Sequence, residues 1–255
     1  MKEPLHFVDK RRIITLPGDV EATLHFSVQK WIEVAQESID DHGFFAVALS
    51  GGSTPKNIFK RLSESEMASK IDWSKVFLFW SDERSVPPDH TESNYHMAME
   101  EGGLGKLGIP SDQIFRMVAE TDIEANAEAY EKIILETLGG RPFDLVMLGM
   151  GDDGHTASLF PHTKALTAIG QLVVANHVFQ KNTWRMTLTY ECINRARYVC
   201  VYVIGKNKAK TLEKVLTSPF NPENYPSQLI GTAANRAIWI IDDEAGSLLL
   251  SHFRT

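Results

Sequence analysis

Cysteine is scarce in this chain, basic residues are outnumbered and long apolar runs are missing; each shortage removes a class of function. Only Cys192 and Cys200 occur, on neighbouring predicted elements and not as a Cys-x-x-Cys pair. Both read as reduced, buried thiols, not as a disulfide or a metal pair. The formal net charge is -7, from 26 Lys and Arg against 33 Asp and Glu. A nucleic-acid surface needs clustered cations, so no nucleic-acid partner is expected. The apolar stretches are strand-sized and soon interrupted, which predicts no membrane span and no membrane partner. The N-terminus reaches Asp9, Lys10, Arg11 and Arg12 before any long apolar run, so no secretory signal is read there. A soluble, cytoplasmic protein is the expectation. If its ligand is an anion, a few cations must gather locally against the general negative field.

What is present fits one α/β domain spanning residues 1–255, with 43% hydrophobic residues to fill its core. Asp19 is placed to cap a helix whose apolar positions, Val20, Leu24, Val28, Trp31, Ile32, Ala35 and Ile39, recur at helical spacing up to Gly43. Phe44 to Leu49 is an unalternating apolar run that ends in Ser50-Gly51-Gly52-Ser53-Thr54-Pro55, with Pro55 placed to start a helix through Leu62. Similar runs at Val76–Trp80, Leu145–Leu148 and Tyr198–Ile204 also end in polar or glycine-rich loops. Helices are predicted over Ile123–Leu138 and Ala209–Leu216, then a last strand over Ala237–Ile241 and a short terminal helix. Pro219 to Pro226 reads as a surface loop. Alternating strands and helices predict a mostly parallel sheet covered on both faces. Ligands of such sheets bind beyond the carboxyl ends of the strands, where these loops lie.

Ser50-Gly51-Gly52-Ser53-Thr54 has the composition of an anion cradle, because glycines let successive backbone N–H groups approach a phosphate at a helix N-terminus. The same loop nearly matches the Gly-x-Ser-x-Gly pattern of a nucleophilic serine, here Ser53, but Pro55 replaces the last glycine. Gly149-Met150-Gly151-Asp152-Asp153-Gly154 has dinucleotide-loop spacing. Its two carboxylates would face a pyrophosphate and Pro161 cuts short any following helix, so no nucleotide cofactor is expected. His155 follows at a predicted strand end, where a neutral imidazole can act as a base. Asp153, His155 and His162 are conceivable metal ligands, yet no ligand motif joins them and no metal is expected. Arg84, Arg185 and Lys208 stand at strand ends, each explicable as a solvated charge or a structural ion pair; together they suit a phosphoester. Nothing in the sequence points to an oligomeric state.

Taken together, these stretches resemble the 6-phosphogluconolactonase family, within the superfamily shared with glucosamine-6-phosphate deaminase. The resemblance rests on Ala48–Pro55, Trp80–Arg84 followed by Ser93-Asn94-Tyr95, Phe143–Pro161 (FDLVMLGMGDDGHTASLFP), Arg185–Thr189 and Gly205–Ala209. It implies a three-layer α/β/α fold with a Rossmann-like sheet and a sugar-phosphate lactone as the small-molecule substrate. It further implies a phosphate cradle at Ser50, Gly51, Gly52, Ser53 and Thr54, and contacts to the substrate from Arg84, Arg185 and Lys208. His155 would activate water, oriented by either Asp82 or Asp153. The deaminase pattern continues from this histidine with Ile-Ala-Phe-Asn-Glu-Pro, whereas this chain reads Thr156-Ala157-Ser158-Leu159-Phe160-Pro161. Arg84 also replaces the tyrosine that commonly follows the deaminase Asp-Glu pair. Both departures favour lactone hydrolysis over amino-sugar deamination. A regulatory sugar-phosphate sensor would need a DNA-binding segment, and too few residues precede Asp19 to form one.

Overall fold

The computed structural model describes residues 5–249. Its main sheet has seven strands, in the spatial order β1 (Leu5–Val8), β2 (Arg12–Leu16), β10 (Ala237–Ile241), β9 (Tyr198–Val203), β6 (Leu145–Gly149), β3 (Phe45–Leu49) and β4 (Val76–Trp80). Every pairing is parallel except that of β1 with β2. All of β3 and the first four residues of β6 are buried. Runs of Val, Ala, Leu and Met with no polar face can be satisfied only by cover on both sides of the sheet. This is the three-layer, Rossmann-like arrangement expected from the alternation of elements.

The four longest helices are α1 (Val20–His42), α2 (Ser53–Leu62), α3 (Ile123–Leu138) and α4 (Ala209–Thr217). In α1 the Asp19 side chain accepts the Ala22 N–H at 2.9 Å, and at the other end the Gly43 N–H reaches the Ile39 carbonyl at 2.9 Å. Its apolar stripe buries Trp31 completely, edge-on to Phe45 with ring centroids 4.8 Å apart. Burying a large side chain of this kind contributes about 1.5–3 kcal/mol, far more than the cap's roughly 1 kcal/mol. Packing therefore decides where the helix lies, and the caps decide where it stops. Helix α2 begins at Ser53, two residues before the position marked by Pro55.

From β3 the chain moves outward through α2 to β4, then returns to place β6 on the other side of β3. Strand order reverses between β3 and β6. The loops that leave these two strands are Ser50–Gly52 and Met150–His155, so both glycine-rich segments open onto the crevice where such sheets bind ligands.

A second sheet was not foreseen. Strands β5 (Asp82–Arg84), β8 (Thr183–Leu188) and β7 (Val173–Val178) pair antiparallel. A three-residue strand reading Asp-Glu-Arg carries no apolar alternation, and its partner lies far away in sequence. Beyond β10 the chain forms turns through Leu249 where a short terminal helix was expected, and the remaining residues lie outside those described. Between Gly154 and Pro161 no helix forms; a bridge between Thr156 and Leu159 closes a tight turn instead. Cys192 and Cys200 are both free and buried, and burial pushes each thiol up to about 12, which leaves them unreactive. Among the described residues no helix is long and apolar enough to cross a membrane.

Candidate active site

A cleft of about 420 Å³ opens at the strand-order reversal, and its walls include Ser50, Gly51, Gly52, Asp82, Arg84, Gly151, His155, Arg185 and Lys208. Residues from four predicted loops and one unforeseen sheet thus converge. Ser53 and Thr54 line a smaller hollow of about 140 Å³ behind the glycine loop, and Lys208 borders both spaces. The near match to a nucleophile motif therefore puts Ser53 on the wall of the hollow, outside the set of residues that line the cleft with His155.

His155 is held by its own turn. The Asp153 carboxylate accepts from the imidazole Nδ1 at 2.5 Å and from the His155 backbone N–H at 3.1 Å. The Gly151 N–H donates to the His155 carbonyl at 2.8 Å, closing the turn, and Phe160 stacks on the imidazole with centroids 3.8 Å apart. Partial burial works against the Asp153 charge, but the hydrogen bonds and charge of His155 outweigh it and hold the carboxyl below its ordinary value. An ionised Asp153 fixes the proton on Nδ1 and leaves Nε2 as the acceptor. A side chain at position 151 would occupy the imidazole's place, since a Cβ built there lies 2.1 Å from both Cε1 and Nδ1 of His155. The turn is supported from behind by Ser227, whose N–H and hydroxyl both donate to the Gly154 carbonyl, at 3.0 and 2.8 Å. Ser227 follows the Pro219–Pro226 segment, so the end of that loop braces the site.

Asp82 does not share this task. Its buried carboxylate accepts from the Ser158 hydroxyl at 2.7 Å and from the Asn94 amide at 3.1 Å. It forms part of the cleft wall while Asp153 orients the imidazole. Asn94 also donates to the Asp82 carbonyl at 2.8 Å and packs so closely on Gly51 that a Cβ there would sit 1.9 Å from its Oδ1. Glu83, buried beside it, accepts from the backbone of Arg84, Asn94 and Tyr95 and from the Ser93 hydroxyl, all within 3.0 Å. Burial pushes the Glu83 carboxyl up despite these four donors. The Asp-Glu pair is thus the anchor that clamps the Ser93–Tyr95 segment onto the glycine loop.

The cations arrive from three elements. Arg84 and Arg185 stand directly opposite each other in the β5–β8 ladder, and Lys208 follows the Gly205 turn after β9. Like charges facing across a strand pair destabilise a sheet unless an anion is to sit between them. The Nε atoms of both arginines are buried and have no hydrogen-bond partner among the described residues. Burial, opposed by Asp82 and reinforced by Arg84, pushes Arg185 below its ordinary value, though a guanidinium stays charged at neutral pH. Lys208 is paired with Asp152 at 2.6 Å. Lys181 and Glu92 border the cleft as well. Neither was legible in advance, because isolated charges on a hairpin and a loop carry no spacing signal. His162, weighed as a metal ligand, turns away to Glu223 at 2.9 Å.

The family model for glucosamine-6-phosphate isomerases/6-phosphogluconolactonase matches residues 18–239. The chain belongs to this family. A 6-phosphogluconolactonase of Chlamydia pneumoniae is 40% identical over 242 residues, covering 94% of this chain and 92% of the relative. A 6-phosphogluconolactonase of Synechocystis is 37% identical, covering 84% and 88%. Among solved structures, 6-phosphogluconolactonase from Trypanosoma cruzi superposes with a TM-score of 0.82 at 28% identity, covering 96% of this chain and 98% of that one. In the sequence, the segment after His155 is what sets lactone hydrolysis apart from deamination. Here the Ser158-Leu159-Phe160 segment lays an aromatic ring, not a carboxylate, on the imidazole.

Proposed function

We propose that this protein is a cytoplasmic, metal- and cofactor-independent lactonase that hydrolyses 6-phosphoglucono-1,5-lactone to 6-phosphogluconate in the pentose phosphate pathway. The observation that carries this reading is the Asp153–His155 pair opening onto the same cleft as Arg84, Arg185 and Lys208. The phosphate is held by these cations and by the backbone of Ser50, Gly51, Gly52, Ser53 and Thr54 at the start of α2. Tethering that end places C1 of the lactone beside His155. Nε2 of the imidazole takes a proton from water as the water oxygen bonds to C1. The tetrahedral intermediate then expels the ring oxygen, which receives the proton back from the imidazolium. Asp153 stays ionised throughout and steadies the transient positive charge. Neither a covalent intermediate nor a Lewis acid is needed, because a lactone is an activated ester and its leaving oxygen needs only a proton.

Deamination of glucosamine 6-phosphate is the competing activity within the family. With Phe160 stacked on the imidazole and Ser158 turned to Asp82, no carboxylate among the described residues other than that of Asp153 is hydrogen-bonded to His155. The purified protein is therefore expected to open the phosphorylated lactone and to release no ammonia from glucosamine 6-phosphate. Ammonia release faster than lactone opening would overturn the reading.

The role of the cations is tested separately. Arg185→Ala and Lys208→Ala are each expected to lower kcat/KM for the phosphorylated lactone by about ten- to a hundredfold, the scale of a charge-assisted hydrogen bond. Glucono-δ-lactone, which has no phosphate, should be slow with the parent and little affected by either change. Equal proportional losses on the two lactones would place these residues at the reacting end and remove the phosphate clamp.

A further inference from the structure

Lys208 borders the cleft as one half of an ion pair. Its ammonium donates to the Asp152 carboxylate at 2.6 Å, while the Asp152 carbonyl accepts from the Thr211 hydroxyl at 2.7 Å and the Asn207 amide lies 3.5 Å from the same carboxylate. The lysine side chain is 22% exposed and the aspartate 75%. The carboxylate therefore stands mostly in water and the ammonium stands where the cleft meets the hollow behind the glycine loop. Asp152 and Asp153 occupy one turn, closed by Gly151 N–H to His155 and by Gly154 N–H to Gly151. Asp153 of that turn holds the imidazole and Asp152, just before it, holds the lysine.

From this arrangement we infer that Asp152 is a positioning residue that sets the distance between the phosphate-binding ammonium and the reacting imidazole. A lysine stem is flexible and loses much rotamer freedom when fixed. Asp152 imposes that order before substrate arrives and uses one of the three ammonium N–H groups, leaving two for phosphate oxygens. The negative charge it brings is directed at water and partnered by Lys208, so the repulsion felt by an arriving phosphate is small. Because the same short turn carries His155, a phosphate seated on Lys208 has its far end delivered to Nε2 at a span fixed by the backbone.

This inference rests on the lactonase reading, and a double-mutant cycle separates the two. Asp152→Ala is expected to raise KM for the phosphorylated lactone by about tenfold, with kcat changed by less than about threefold, and to leave glucono-δ-lactone hydrolysis unchanged. In a Lys208→Ala background the same change should add almost nothing, since the lysine it positions is gone. Binding of 6-phosphogluconate by calorimetry gives a readout without turnover and should show the same tenfold loss and the same non-additivity. A parent that binds 6-phosphogluconate in this way but opens no lactone would sink the lactonase reading and leave the positioning role standing. A KM that falls when the carboxylate is removed would mean that Asp152 competes with phosphate, and would overturn the inference. So would fully additive losses in the double variant, or equal losses on both lactones.

Discussion

His155→Ala is expected to lower kcat by about two to four orders of magnitude while KM for the phosphorylated lactone stays within a few fold, the usual pattern when a general base is lost and ground-state contacts remain. The residues proposed to hold the phosphate lie on the glycine loop, two strands of the small sheet and the turn that leads into α4, and none of these is built on the imidazole. The intact Gly151–Gly154 backbone bond and the Ser227 brace keep the turn in place without the ring. Steady-state kinetics on a variant shown by circular dichroism to be folded give the answer. Turnover like that of the parent would mean that the base lies elsewhere.

Gly151→Ala is the second change expected to have a large effect, and for a reason unrelated to chemistry at position 151. Its methyl group would lie 2.1 Å from two ring atoms of His155 and 2.9 Å from the Asp153 carboxylate. Either the ring swings out or the turn opens. A displacement of about 1 Å can cost about a hundredfold in rate, and a loss of that order in kcat is predicted here. Gly149→Ala is the matched control, because a Cβ at position 149 meets nothing within 4 Å. Comparable losses in the two variants would show that the cost comes from the loop backbone and not from the displaced imidazole.

The contrast between those two glycines marks the limit of what the sequence alone reveals. Both occur in one Gly-x-Gly-x-x-Gly match, and only the path of the turn distinguishes the one pressed against His155 from the one facing open space. The loops at Ser50 and Gly149 were readable, since an apolar run ending in glycines is a local pattern of strand and turn. The order of those strands was not, and it is the reversal between β3 and β6 that brings the two loops together. Asp82 and Asp153 were equally plausible partners for the imidazole. The choice follows from β5, which turns Asp82 toward Ser158 and Asn94, and from the tight turn that folds Asp153 back on His155. Arg84 and Arg185 were recognisable singly as charges at strand ends. That they face each other across a ladder is a fact of register between distant segments.

Metal-independent opening of the phosphorylated lactone by the chain itself, through His155, underlies the catalytic expectations above. Its most direct test is the initial rate of acid release from freshly prepared 6-phosphoglucono-1,5-lactone by the purified protein after treatment with a chelator, corrected for spontaneous opening. The expected rate is far above the spontaneous one and is not increased by added divalent cations. A rate equal to the spontaneous one, or activity restored only by metal, would contradict it.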